Sequence, residues 1–158
     1  MLSWEKKLAG IDVSQESFPN CFACGMNNPA GLKLKFTKDG DTARSEFTVS
    51  ERHEGWPGFL HGGIICTILD EAIAYACFPQ TKSVTAKAEF RFRQPAPVNV
   101  PMVATATLVK KTRKLLTVTA TITLKDGTVV AEATAQVYVL NPQRHGRPTP
   151  PPAPAVSY

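Results

Sequence analysis

The residues best suited to chemistry in this 158-residue sequence are Gly55-Trp56-Pro57-Gly58-Phe59-Leu60-His61-Gly62-Gly63, which run straight into an apolar segment carrying Asp70. Glycines at a helix start leave backbone N–H groups unpaired and sterically open. The helix dipole adds partial positive charge there. Such groups polarise a carbonyl or hold a developing oxyanion. Asp70 follows Gly63 by two helical turns, so it lies ~10 Å further along the same helix. That is too far to serve its own Gly-Gly mouth, whereas the carboxylate of a second copy can reach it. The spacing predicts a site shared between two copies of the chain.

The elements that must position these residues are legible as changes of period. From Gly62 to about Phe78, Ile65, Ile68, Leu69, Ala72 and Ala76 form the apolar stripe of one continuous helix, closed by Pro79. Another side carries Cys66, Thr67, Asp70, Ala74 and Cys77, small residues around one carboxylate. Before the helix, Leu32, Leu34 and Phe36, then Ala43, Ser45, Phe47 and Val49, alternate with polar residues and predict two strands. Four more strands are predicted after it. Val84, Ala86, Ala88, Phe90 and Phe92 face inward in the first, and Met102, Ala104, Ala106 and Leu108 in the second. Leu116 to Leu124 is the third; Asp126-Gly127 then turns the chain into an alanine-rich last strand, Val129 to Val139. Two strands, one helix and four strands make an α+β architecture with the helix on one face of an antiparallel sheet. One helical stripe is narrower than six strands, which again predicts at least a dimer.

Residues 1–20 read as an N-terminal arm, helical around Trp4 to Leu8, and residues 21–140 as the single domain. Residues 141–158 hold six of the thirteen prolines and read as a disordered tail. No run approaches the ~20 apolar residues of a membrane span, and the first residues lack a secretory pattern, so a cytoplasmic protein is expected. The net charge of +5 is spread over strands and turns without a basic helix or zinc-finger spacing. That excludes nucleic acid as the expected partner and suits a small polyanion. Cys21 and Cys24 form a lone Cys-x-x-Cys, half of a structural zinc ligand set. With no second pair, and His53 or His61 able to join only through tertiary accident, they read as two thiols in a turn and no metal is expected.

His61-Gly62-Gly63 with Asp70 nine residues after the histidine resembles the signature of the PaaI-like hotdog-fold thioesterases. Cys21-Phe22-Ala23-Cys24-Gly25 with Asn28-Pro29-Ala30-Gly31-Leu32 resembles the opening of one subgroup, which includes the thioesterase-superfamily-member-four-like enzymes. The resemblance extends over roughly residues 20–140. It implies a hotdog fold, a six-stranded sheet wrapped around the helix, with homodimers or dimers of dimers and acyl-CoA hydrolysis without a cofactor. Carried over by position, Asp70 is the general base or the nucleophile, the Gly62 or Gly63 N–H polarises the thioester carbonyl, and His61 shapes the site. Thr85 resembles a threonine that assists the water, although strict alternation points it outward. Many relatives have Asn where this chain has Gly55.

Glu54 is placed at the site entrance, and Arg91, Arg93, Lys110, Lys111, Arg113 and Lys114 are candidates for the CoA phosphates. Glu71, about 100° around the helix from Asp70, reads as a salt-bridging or rim residue. Two rival functions remain, the first with a His–carboxylate separation that does not match the dehydratase pattern. A hotdog enoyl-thioester hydratase or dehydratase would use a His with a helix carboxylate, for which His53 and Glu71 are available. A non-catalytic acyl-CoA-binding module would account for Gly55.

Overall fold

The computed structural model describes residues 18–78 and 82–140. Five of the six alternating runs become strands, β2 (Thr42–Phe47), β3 (Ser83–Phe92), β4 (Met102–Lys111), β5 (Leu115–Leu124) and β6 (Val129–Val139), and a short β1 (Thr37–Asp39) precedes them. They form one six-stranded sheet in the order β1-β2-β4-β5-β6-β3, every neighbouring pair antiparallel. Helix α1 (Gly62–Cys77) crosses one face. Ile65, Ile68, Leu69, Ala72, Ile73 and Ala76 are buried against Met102, Ala104, Ala106, Leu116, Val118, Ala120 and Ile122. The α+β hotdog architecture expected from the sequence is the one observed. No helix among the described residues is long and apolar enough to cross a membrane.

Three local expectations are corrected. Leu32 to Phe36 alternates in burial but is not a strand of the sheet. Lys33 takes a positive φ of 53°, and Leu32 and Leu34 donate instead to the carbonyls of Phe22 and Ala23. The run therefore belongs to the Cys21–Cys24 turn. Ala86 does not face inward; β3 carries a bulge at this residue, between Thr85 and Lys87, and Ala86 is exposed. Val84 does not face inward either, since it pairs with Tyr138 on the sheet face away from α1. The arm up to residue 17, Pro79 and the tail from residue 141 lie outside the described residues.

The last turn of α1 has no glycine cap. Phe78 follows it in extended conformation, as the residue before a proline prefers. Lys38 of β1 closes the end instead, donating from Nζ to the carbonyls of Ala76 at 2.7 Å and Phe78 at 2.6 Å. A cation on these unpaired carbonyls also complements the helix dipole. Replacing Lys38 with Met keeps the apolar stem but removes both bonds. The expected cost is about 1–2 kcal/mol, for charged hydrogen bonds part-shielded from water. Chemical denaturation checks it, through a lower midpoint at unchanged slope.

Candidate active site

The loop before α1 is a closed structure. Gly55 N–H donates to the Phe59 carbonyl at 3.0 Å, Phe59 N–H to the Trp56 carbonyl at 2.8 Å, and Gly58 N–H to Glu54 Oε1 at 2.9 Å. Gly58 has a φ of +83°, which favours glycine at the loop tip. Glu54 thus stabilises the loop by holding its tip. Gly55 backs onto His61, and a Cβ there would come within 3.2 Å of the His61 Cα. A larger residue would displace the histidine.

His61 is the N-cap of α1, and its Nδ1 accepts the Gly63 N–H at 2.9 Å. This decides between the two glycines. The Gly63 amide is engaged, and a Cβ on Gly63 would crowd the imidazole at 3.1 Å. The Gly62 N–H donates to no group among the described residues. Gly62 lines a cleft of about 800 Å³ together with Trp56, Phe59, Leu60, Ile65 and Phe92. Trp56 is 81% exposed and Phe92 54%, a large apolar surface facing water.

Two turns along the helix, Asp70 is exposed and accepts a hydrogen bond from Thr85 Oγ1 at 2.8 Å. The bulge explains how Thr85 reaches it. Thr85 pairs with Val137 and Ala88 with Ala135, both partners buried on the helix side, so the skipped Ala86 lets residues three apart share one face. Thr85 therefore points inward, contrary to the outward orientation that strict alternation predicts. With one Asp70 oxygen occupied, the other is left for a water or substrate group. Burial, and then the Asp70 charge, push the neighbouring Cys66 thiol up, so this cysteine is a poor nucleophile.

The basic residues are not gathered at this site. Arg91 pairs with Glu89 at 3.2 Å and Arg93 with Glu132, and Arg91 lies opposite Glu132 in the register, on the sheet face away from α1. Arg93 also borders the cleft through its position after β3. Lys111 acts on Cys77 and Lys38, so it stands near the far end of α1 from Gly62. Arg113 and Lys114 are exposed in the turn between β4 and β5, with Lys110 exposed on the strand leading into it.

Glu71 is neither a rim residue nor part of an ion pair among the described residues. Its carboxylate stands beside the Cys24 thiol, and burial raises its pKa. Cys21, Cys24 and Glu71 bring their ligand atoms within 4.8 Å of one another. The sequence reading missed this third group because it paired the cysteines only with cysteine and histidine. Position 71, on the helix face that leads by one turn to Tyr75, was the available signal.

Residues 57–131 match the model of the Thioesterase superfamily. Among curated relatives, the acyl-coenzyme A thioesterase THEM4 of Mus musculus is 32% identical over 92 residues, 58% of this chain and 40% of that protein. The chain thus spans less than half of that relative's length. Among solved structures, the E. coli PaaI protein from the phenylacetic acid degradation operon superposes with a TM-score of 0.66 at 21% identity, covering 70% of this chain and 82% of that one. The Streptococcus mutans UA159 protein smu.793, bound to acetyl-CoA, superposes with a TM-score of 0.64 at 19% identity, covering 67% and 87%.

The cap makes a direct prediction. His61→Ala should lower stability by about 1 kcal/mol, the usual cost of losing an N-cap, while His61→Asn should restore most of it. Thermal unfolding of the two variants against the native protein measures the difference.

Proposed function

We propose that this protein hydrolyses acyl-CoA thioesters at a site formed between two copies of the chain. The observation that carries the reading is the pairing of Asp70 with Thr85 on an open, small-residue face of the helix whose mouth presents the uncommitted Gly62 amide. Support comes also from the superfamily match, the curated acyl-CoA thioesterase relative and the structural neighbour that holds acetyl-CoA. The cleft beside Gly62 has a size and apolar lining suited to a small-molecule ligand. Self-association is supported by β3, a ten-residue edge strand of the sheet. Such an edge invites pairing with another strand.

In this reading Asp70 of one copy faces the Gly62 mouth of the other. Thr85 holds one carboxylate oxygen, and the free oxygen takes a proton from water as that water attacks the thioester carbon. The carbonyl oxygen becomes an oxyanion on the Gly62 N–H. Its collapse breaks the C–S bond, releasing the acid and a CoA thiolate that recovers a proton. Arg93, at the cleft border, is the basic residue best placed for the CoA phosphates. Hydration of enoyl thioesters has less support, because Glu71 turns toward Cys24 rather than toward His53.

Thiol release from a panel of acyl-CoAs tests the reading. Asp70→Asn should lower kcat by about 10²–10⁴-fold, the range for removing a general base. Equal turnover by Asp70→Asn and native protein would overturn it, and binding without turnover by the native protein would make this a binding module. Gly62→Pro isolates the amide. Proline is favoured at the first helical position and lacks an N–H, and His61 already has the ψ of 134° that a following proline requires. It should fold and lose about 10²–10³-fold in kcat, the cost of one oxyanion donor.

A further inference from the structure

We propose that Cys21, Cys24 and Glu71 form a binding site for a thiophilic divalent cation, Zn²⁺ foremost, that clasps the N-terminal turn onto helix α1. The three ligand atoms lie within 4.8 Å of one another. A tetrahedral zinc with bonds of 2.0–2.3 Å needs them roughly 3.5–3.8 Å apart. Small side-chain rotations close that gap.

The turn has the form that a metal–thiolate loop requires. The Cys24 N–H points at Cys21 Sγ, 3.5 Å away, a donor that stabilises sulfur as an anion. The Gly25 N–H closes the turn on the Cys21 carbonyl at 2.9 Å. A Cβ at Gly25 would lie 2.4 Å from the Cys21 N and 2.5 Å from the Pro19 carbonyl oxygen, so the turn as built admits only glycine there. Leu32 and Leu34 tie the following chain to Phe22 and Ala23, giving the two thiols a fixed frame.

The helix contributes the rest. Glu71 is a part-buried carboxylate with no cationic side chain paired to it among the described residues, which is costly unless something positive joins it. One turn on, Tyr75 lies beside Cys24 and stacks on Phe36 with ring centroids 4.6 Å apart, an outer layer around the thiol. A cavity of about 460 Å³ bordered by Pro19, Cys24, Met26, Phe36 and Tyr75 reaches Cys24 and offers an entry path on that side. Two sulfurs favour zinc over magnesium or calcium. Binding releases the two thiol protons to solvent and leaves two thiolates and a carboxylate around one dication. The site is independent of the thioesterase reading, although Glu71 directly follows Asp70.

The test uses the full chain, expressed in zinc-supplemented medium and purified under reducing conditions without chelator. Elemental analysis should find about one zinc per chain. Exchange with Co²⁺ should produce thiolate-to-metal charge-transfer absorption and the intense visible bands of a tetrahedral site. Cys24→Ser should abolish both. Glu71→Gln, which keeps the helix, should weaken Zn²⁺ affinity at least about tenfold, the cost of losing even an outer-shell partner. Cys66→Ala should change neither. Native protein that holds less than about a tenth of an equivalent and develops no Co²⁺ spectrum overturns the proposal. A Cys21–Cys24 disulfide that persists under reductant also overturns it, and Glu71→Gln with native affinity removes the carboxylate from the site.

Discussion

A helix is a rigid rod, and α1 fixes its first amide and Asp70 about 10 Å apart. At its start stands an amide left free because His61 caps the next one. Near its middle stands a carboxylate held by Thr85. A reacting carbon must lie about 3 Å from both an oxyanion donor and the activated nucleophile. One helix cannot offer both groups to one carbon. The thioesterase reading therefore depends on a second helix, and the sheet edge at β3 and the apolar rim of Trp56, Phe59 and Phe92 supply surfaces on which a second copy can sit.

The packing around α1 serves the same geometry. Its large residues, Ile65, Ile68, Leu69 and Ile73, are committed to β4, β5 and the rest of the core, which fixes the rotation of the helix. That rotation leaves Asp70 and Ala74 facing outward. Lys38 secures one end and His61 the other. A bulge at Ala86 then turns Thr85 inward. Each of these is a local device, and together they hold one hydroxyl on one carboxylate.

Periodicity made the fold readable, because a buried face imposes alternation on strands and a stripe on a helix whatever their partners are. The helix limits, the strand order along the chain and the Asp126-Gly127 turn all follow from local residue choices. The unread features are tertiary. The bulge at Ala86 is set by register against Val137 and Gln136, some fifty residues away in sequence. Glu71 meets Cys21 and Cys24 across a similar separation, so no local pattern marks them as a group. The engagement of the Gly63 amide depends on one imidazole rotamer. Arg91 was legible as a basic strand residue, but only pairing with Glu89 and the register opposite Glu132 place it on the sheet face away from α1.

Complementation between two disabled chains tests the shared site most directly. Mixed in equal amounts after subunit exchange, Asp70→Asn and Gly62→Pro chains form mixed dimers in which one of the two sites has both groups intact. If the two groups meet across the interface, the mixture should regain about a quarter of native thioester hydrolysis, since half of the dimers are mixed and each has one good site. A mixture that exchanges subunits yet stays as inactive as its separate components would contradict the account.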